Sequence, residues 1–108
     1  MNVQFKKGVL ELIVLFVIKN EDKYGYQLVS EVDKAISVNE GTIYPLLKRL
    51  TLEHYCETYL QESNSGPSRK YYRITPLGKK YLDELTKEWL SFSQQVNEFI
   101  KKEDDDNE

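Results

Sequence analysis

The apolar positions of this chain fall into blocks with two different periods. Val9, Leu10, Leu12, Ile13, Val14, Leu15, Phe16, Val17 and Ile18 form the first and most apolar block. A helix that is apolar nearly all round is buried on several sides. A chain of 108 residues has difficulty covering such a helix alone. That is a first sign of a second copy. Asn20, Glu21 and Asp22 then read as a loop. Tyr24-Gly25-Tyr26 opens a second helix, in which Tyr24, Leu28, Val32 and Ile36 recur every four residues with Ala35 beside them. Ile36-Ser37-Val38 leaves only a short turn before the third block.

That block, Asn39 to Leu50, is the most informative. Asn39 is a good N-cap and Glu40 suits the first turn of a helix. Ile43, Leu46, Leu47 and Leu50 stand at i, i+3, i+4 and i+7, which is one apolar face. The opposite face carries Gly41, Pro45 and Lys48, flanked by Tyr44 and Arg49. An ordinary surface helix places Glu, Lys and Gln there. Here a glycine and a proline project little, so backbone can come close to a large partner. Pro45 also lacks the N–H that would bond the Gly41 carbonyl. A local rule broken without a gain in stability marks a functional face. Two short amphipathic helices joined by about three residues have the layout of a helix-turn-helix.

Beyond Leu52 the period drops from 3.6 to 2. Tyr55–Gln61 and Arg69–Thr75 are rich in strand-forming residues, and residues 62–68 between them are a turn cluster. This predicts a β-hairpin with a long polar tip. Thr75-Pro76 then starts a helix, with Thr as N-cap and Pro in the first turn. It is expected to run to about Lys101. Leu82, Leu85, Trp89, Phe92, Val96 and Phe99 are spaced 3, 4, 3, 4, 3, a heptad seam. Nothing else in so short a chain covers that seam except the first helix and a second copy. The expected fold is mainly α with a small β-hairpin: a winged helix-turn-helix followed by a long C-terminal dimerisation helix. Residues 1–75 form the DNA-binding unit, whose first helix also packs in the dimer. Residues 76–102 form the dimerisation helix and 103–108 a disordered acidic tail. The expected dimer interface comprises Leu12, Phe16, Leu82, Leu85, Trp89, Phe92, Val96 and Phe99.

Charge sharpens this picture. The net charge of −3 seems to argue against nucleic acid. Five of the 18 acids, however, lie within residues 103–108. Residues 1–102 hold 15 bases against 13 acids, a balance of +2. From Arg69 to Lys80 there are five bases and no acid, and Tyr71 and Tyr72 lie among them. Cations interleaved with aromatic residues suit phosphate and groove contacts. Lys6-Lys7 before an apolar run resembles a signal peptide, but Glu11 interrupts the run and no small-residue cleavage site follows. Leu12–Ile18 is too short to span a bilayer. These features predict a cytoplasmic protein with no membrane partner. Cys56 and His54 are the only cysteine and histidine, too few for a metal site or a His-based triad. They read as a turn residue and a buried thiol. With no Gly-rich phosphate loop and no paired carboxylates near a base, neither an enzyme nor a cofactor is expected.

At this point the motifs carry a resemblance. Tyr24-Gly25-Tyr26-Gln27-Leu28, the block Asn39–Leu50, the stretch Gly66–Thr75, Gly78 and Trp89 resemble the PadR family of bacterial transcriptional regulators in its short form. The resemblance covers nearly all of residues 5–100. It implies a homodimer that binds palindromic double-stranded promoter DNA and represses. The third helix would enter the major groove, and the wing would touch flanking backbone or minor groove. Members commonly repress a multidrug transporter gene, a phenolic-acid stress gene or their own operon. Some release DNA when a planar aromatic small molecule binds at the dimer interface. A lactococcal multidrug-binding member stacks such ligands between two copies of a tryptophan, and Trp89 stands at that position. Two departures stand out. His54 replaces the glycine often found between recognition helix and wing, a site that should need a left-handed residue. Phe92 is large enough to fill the space that is an open pore in the ligand-binding relative.

The DNA contacts expected on this basis are Thr42, Tyr44 and Lys48 toward the groove, Asn39 at the helix start, and Gly41 and Pro45 through close backbone approach. Tyr26 would donate to a phosphate, and Arg69 and Lys70 would serve the wing tip. Arg73 suits either a phosphate or a solvated ion pair. Trp89 and Phe92 suit either a ligand clamp or plain seam packing. The rival from another class is a winged-helix protein–protein module that never touches DNA, which the acidic tail favours and the basic wing does not.

Overall fold

The computed structural model describes the backbone of residues 3–106 and the side chains of residues 8–105. Residues 1–2 and 107–108, the outer ends of the predicted DNA-binding unit and tail, lie outside the described residues. The elements follow in the order α1 (Val3–Val17), β1 (Lys23–Tyr24), α2 (Gly25–Ala35), α3 (Glu40–Leu52), β2 (Cys56–Ser63), β3 (Gly66–Ile74) and α4 (Pro76–Asp106). This is a winged helix-turn-helix with a long terminal helix.

The predicted apolar faces meet in one core. Leu10, Val14, Leu15 and Ile18 of the α1 region pack with Leu28 and Val32 of α2 and with Ile43, Leu46, Leu47 and Leu50 of α3. Cys56, Tyr72 and Ile74 close it from the sheet, and Leu82 from α4. Cys56 is buried, and that burial pushes its thiol pKa up. Leu82 is only 3 % exposed, so this member of the heptad seam is spent on the chain's own core. The seam from Trp89 onward is different: Trp89, Phe92, Val96 and Phe99 are 37, 50, 38 and 65 % exposed.

Three elements differ from the sequence-based expectation. The sheet has three strands in the order β1-β3-β2, not a bare hairpin. Lys23 and Tyr24 pair with Tyr72 and Tyr71, so Tyr24 is a strand residue and the N-cap of α2 rather than part of that helix. The hairpin tip is also short. β2 and β3 extend to Ser63↔Gly66, leaving Asn64 and Ser65 as the turn. Finally, α4 does not stop near Lys101. It continues through Glu103–Asp106, the first part of the predicted disordered tail.

The junction between α3 and the wing explains the histidine. Tyr55 N–H donates to the Leu50 carbonyl at 2.9 Å and His54 N–H to the Thr51 carbonyl at 3.1 Å. This 6→1 and 5→2 pair is a Schellman ending, which needs a left-handed residue between helix and strand. His54 takes that role with φ 66°. Left-handed backbone costs a non-glycine residue roughly 1–2 kcal/mol, part of which glycine loses again through its greater unfolded entropy. His54 is exposed, so little packing is forfeited. The His54→Gly variant should therefore gain about 0.5–1 kcal/mol, read as a higher urea midpoint with an unchanged slope. A lower midpoint would show that the imidazole itself stabilises the junction.

Candidate nucleic-acid interface

The outer face of α3 is built from its first turn upward. Asn39 caps the helix: its Oδ1 accepts from Thr42 N–H at 3.0 Å and from Thr42 Oγ1 at 3.2 Å. The two polar side chains placed at the helix start are thus tied to each other. Gly41 leaves room for this cap, since a Cβ there would stand 3.1 Å from Asn39 Oδ1. Pro45 sits inside α3 and the helix runs on without a break. Burial of Ile43, Leu46, Leu47 and Leu50 holds it despite the missing hydrogen bond. Gly41, Tyr44, Pro45 and Lys48 are exposed, as the helical spacing predicted, and so are Glu40 and Thr42.

Arg49 departs from that pattern. The sequence places it at the edge of the outer face, but its guanidinium turns inward to the carboxylate of Glu11 on α1. Its other side meets Glu53 at 3.4 Å. Glu11 is 5 % exposed, a buried acid in the most apolar helix. Tyr81 of α4 donates its hydroxyl to the same carboxylate. Burial and then the Glu11 carboxylate raise the Tyr81 pKa, so the phenol keeps its proton and remains a donor. Tyr55 stacks on the Tyr81 ring at 4.1 Å. Lys48 is therefore left as the cation of the outer face of α3. No short-range pattern links Glu11 with Arg49, 38 residues away, so periodicity could not find this pair.

Tyr26, at the start of α2, is 72 % exposed. Next to it, Gly25 lies under the Tyr44 ring, whose Cε1 would be 3.1 Å from a Cβ at that position. Tyr44 is thereby seated on the start of α2 while staying 40 % exposed. On the wing, Lys70 is exposed opposite Leu60. Arg69 stacks on the Tyr24 ring, its guanidinium carbon 4.6 Å from the centroid. Arg73 resolves to the ion-pair alternative, with Asp22 at 3.3 Å and Glu57 at 3.5 Å. It also lies over Tyr59, whose hydroxyl donates to Asp22 at 2.6 Å. The predicted residues thus form two exposed groups: Tyr26 with the outer face of α3, and Arg69 with Lys70 on the wing.

A second feature lies away from this face. Gly8, Val9 and Leu12 of α1 and Leu85, Glu88, Trp89 and Phe92 of α4 line a mainly apolar groove of about 330 Å³. Among the described residues, no helix is long and apolar enough to cross a membrane.

The same architecture occurs in known proteins. The model of the transcriptional regulator PadR-like family matches residues 14–84, which span α2, α3, the wing and the start of α4. A PadR-like transcriptional regulator from Bacillus cereus shares the fold with a TM-score of 0.81 and 42% identity, covering 90% of this chain and 96% of that one. A protein of Lysinibacillus sphaericus is 36% identical over 99 residues, covering 88% of this chain and 91% of its own. A transcriptional regulator of Mycobacterium tuberculosis is 29% identical over 82 residues, covering 75% of this chain and 76% of its own. The chain therefore belongs to the PadR-like family, whose members are DNA-binding transcriptional regulators and not enzymes.

Proposed function

We propose that two copies of this chain bind a palindromic promoter operator as a repressor. The observation that carries this reading is the outer face of α3, where Gly41 and Pro45 leave the backbone bare beside Thr42, Tyr44 and Lys48. Such a face fits a major groove, and an exposed wing with Arg69 and Lys70 fits the adjoining backbone. The half-exposed row Trp89, Phe92, Val96 and Phe99 supports a dimer through α4, with Phe16, 55 % exposed, as the α1 contribution. A two-fold dimer meets two half-sites about one DNA turn apart, which makes the operator palindromic. Occupation of a promoter by such a dimer excludes polymerase, hence repression. The targets favoured by family likeness are a transporter or stress-response operon and the chain's own gene, and a regulator of such genes acts in the cytoplasm.

A mobility-shift titration on the chain's own upstream region, repeated at rising salt, tests this. Lys48→Ala and Arg69→Ala should each weaken binding and flatten the salt dependence by a slope of about one, because each removes one phosphate-neutralising cation. Both side chains are exposed, so folding should be unaffected. Binding of both variants like wild type would mean that DNA uses another surface. Complete absence of binding by the wild type would favour a protein–protein module.

The groove between α1 and α4 supports a planar aromatic effector. It carries Trp89 and Phe92 on its wall, with the Glu88 carboxylate suited to a cationic ring system. Trp89 is the only tryptophan in the chain, so its fluorescence reports this place alone. A planar cationic dye should quench it and lower operator affinity in the same titration. No quenching across a broad dye panel would assign Trp89 to packing.

A further inference from the structure

We infer that Tyr24 and Gly25 form a gauge that fixes the wing against the recognition helix, an inference that rests on the DNA-binding reading above. Consecutive residues here touch different DNA-facing elements. The Tyr24 ring carries Arg69 of β3, and its strand partner Tyr71 packs edge-on at 5.7 Å. Gly25 seats Tyr44 of α3. Tyr26 is exposed beside them. Phosphates sit on a rigid lattice, so a wing cation and a helix face bind together only if their spacing is set in advance.

The Arg69 stack supplies the chemistry. A guanidinium laid face-down on an aromatic ring keeps its in-plane N–H donors, which can grip a phosphate bidentately. Arg73 makes a useful contrast. It stacks on Tyr59 at the same 4.6 Å, but Asp22 and Glu57 occupy its donors. Among the described residues, no acid forms an ion pair with Arg69. One stacked arginine is thus locked into the sheet, and the other is aimed outward. Tyr24 is a positioning residue, acting through Arg69 rather than on DNA itself. Gly25 acts likewise through Tyr44, because a Cβ at that position would press on the Tyr44 ring and shift it by a few tenths of an ångström.

The test uses the full chain and a fluorescein-labelled duplex enriched from a randomised library by the wild-type protein. Tyr24→Leu should weaken binding about five-fold, whereas Tyr24→Phe, which keeps the ring, should bind like wild type. The loss should vanish in an Arg69→Ala background, and Tyr24→Leu should flatten the salt dependence as Arg69→Ala does. Arg69→Lys, on the exposed wing, examines the same contact without a risk to folding: it keeps the charge, loses the planar fork and should fall by a similar factor. Gly25→Ala should weaken binding several-fold, an effect that disappears in a Tyr44→Ala background. If Tyr24→Leu costs as much without Arg69 as with it, or Tyr24→Phe is as weak as Tyr24→Leu, the gauge is overturned while the DNA-binding reading stands. Arg69→Lys binding like wild type overturns it equally. If the wild type enriches no duplex, both fall together.

Discussion

Replacing Glu11 with leucine should destabilise the folded chain by about 3 kcal/mol, the low end of the cost of breaking a buried ion pair. The substitution adds apolar area to an apolar helix, so hydrophobicity alone predicts the opposite sign. Geometry decides. The Glu11 carboxylate is the acceptor for both Arg49 and Tyr81. Its removal strands a guanidinium whose side chain is 29 % exposed, and a half-buried phenol besides. Glu53 still meets Arg49, which is why the low end applies. Tyr81→Phe removes one donor but leaves the ring stacked on Tyr55, so it should cost about 1–2 kcal/mol. The pair Glu11→Leu with Arg49→Leu should recover most of the loss, since an apolar replacement of a buried ion pair is often neutral. Urea unfolding at matched protein concentration measures all three variants. A Glu11→Leu midpoint equal to wild type would mean that the cluster contributes nothing net.

This cluster also marks the limit of what the chain reveals before folding. The α3 face was legible because Ile43, Leu46, Leu47 and Leu50 repeat at helical spacing, and their burial outweighs Pro45. The exposed positions Gly41, Tyr44, Pro45 and Lys48 followed from the same wheel. The left-handed demand at His54 was legible only through the family resemblance, in which a glycine often stands there. Long-range pairings were not legible. A wheel gives the angle of Arg49 but not the acid waiting on another helix. Strand β1 has two residues, too few for any alternation to show, and its identity is fixed only by pairing with Tyr71 and Tyr72. The end of α4 was missed for a different reason. Extending an existing helix costs far less than nucleating one, so an acidic run need not stop it.

The second large effect belongs to Gly78, which the sequence singled out only by resemblance. It lies in the first turn of α4 and is buried against the α3–wing junction. A Cβ there would sit 1.9 Å from the Tyr55 carbonyl oxygen and 2.9 Å from Ile74 Cγ1. The first of these obstacles is backbone, so no rotamer relieves it. That carbonyl also accepts Thr75 N–H at 3.1 Å. Thr75 in turn caps α4, accepting from Gly78 N–H at 2.9 Å and donating to the His54 carbonyl at 2.7 Å. Gly78→Ala must therefore push the start of α4 away and weaken these bonds together. A cost of about 3 kcal/mol is expected, against the gain of a few tenths or more that Ala for Gly brings in an open helix. The melting temperature should fall by roughly 10 °C or more. The variant that folds should also hold α4 at a changed angle. Because α4 carries the seam that would pair two recognition helices, operator affinity should fall further than a dilution of the folded fraction explains. Binding normalised to the folded fraction separates the two effects: a normalised affinity equal to wild type would show that the angle of α4 does not set the spacing of the half-sites.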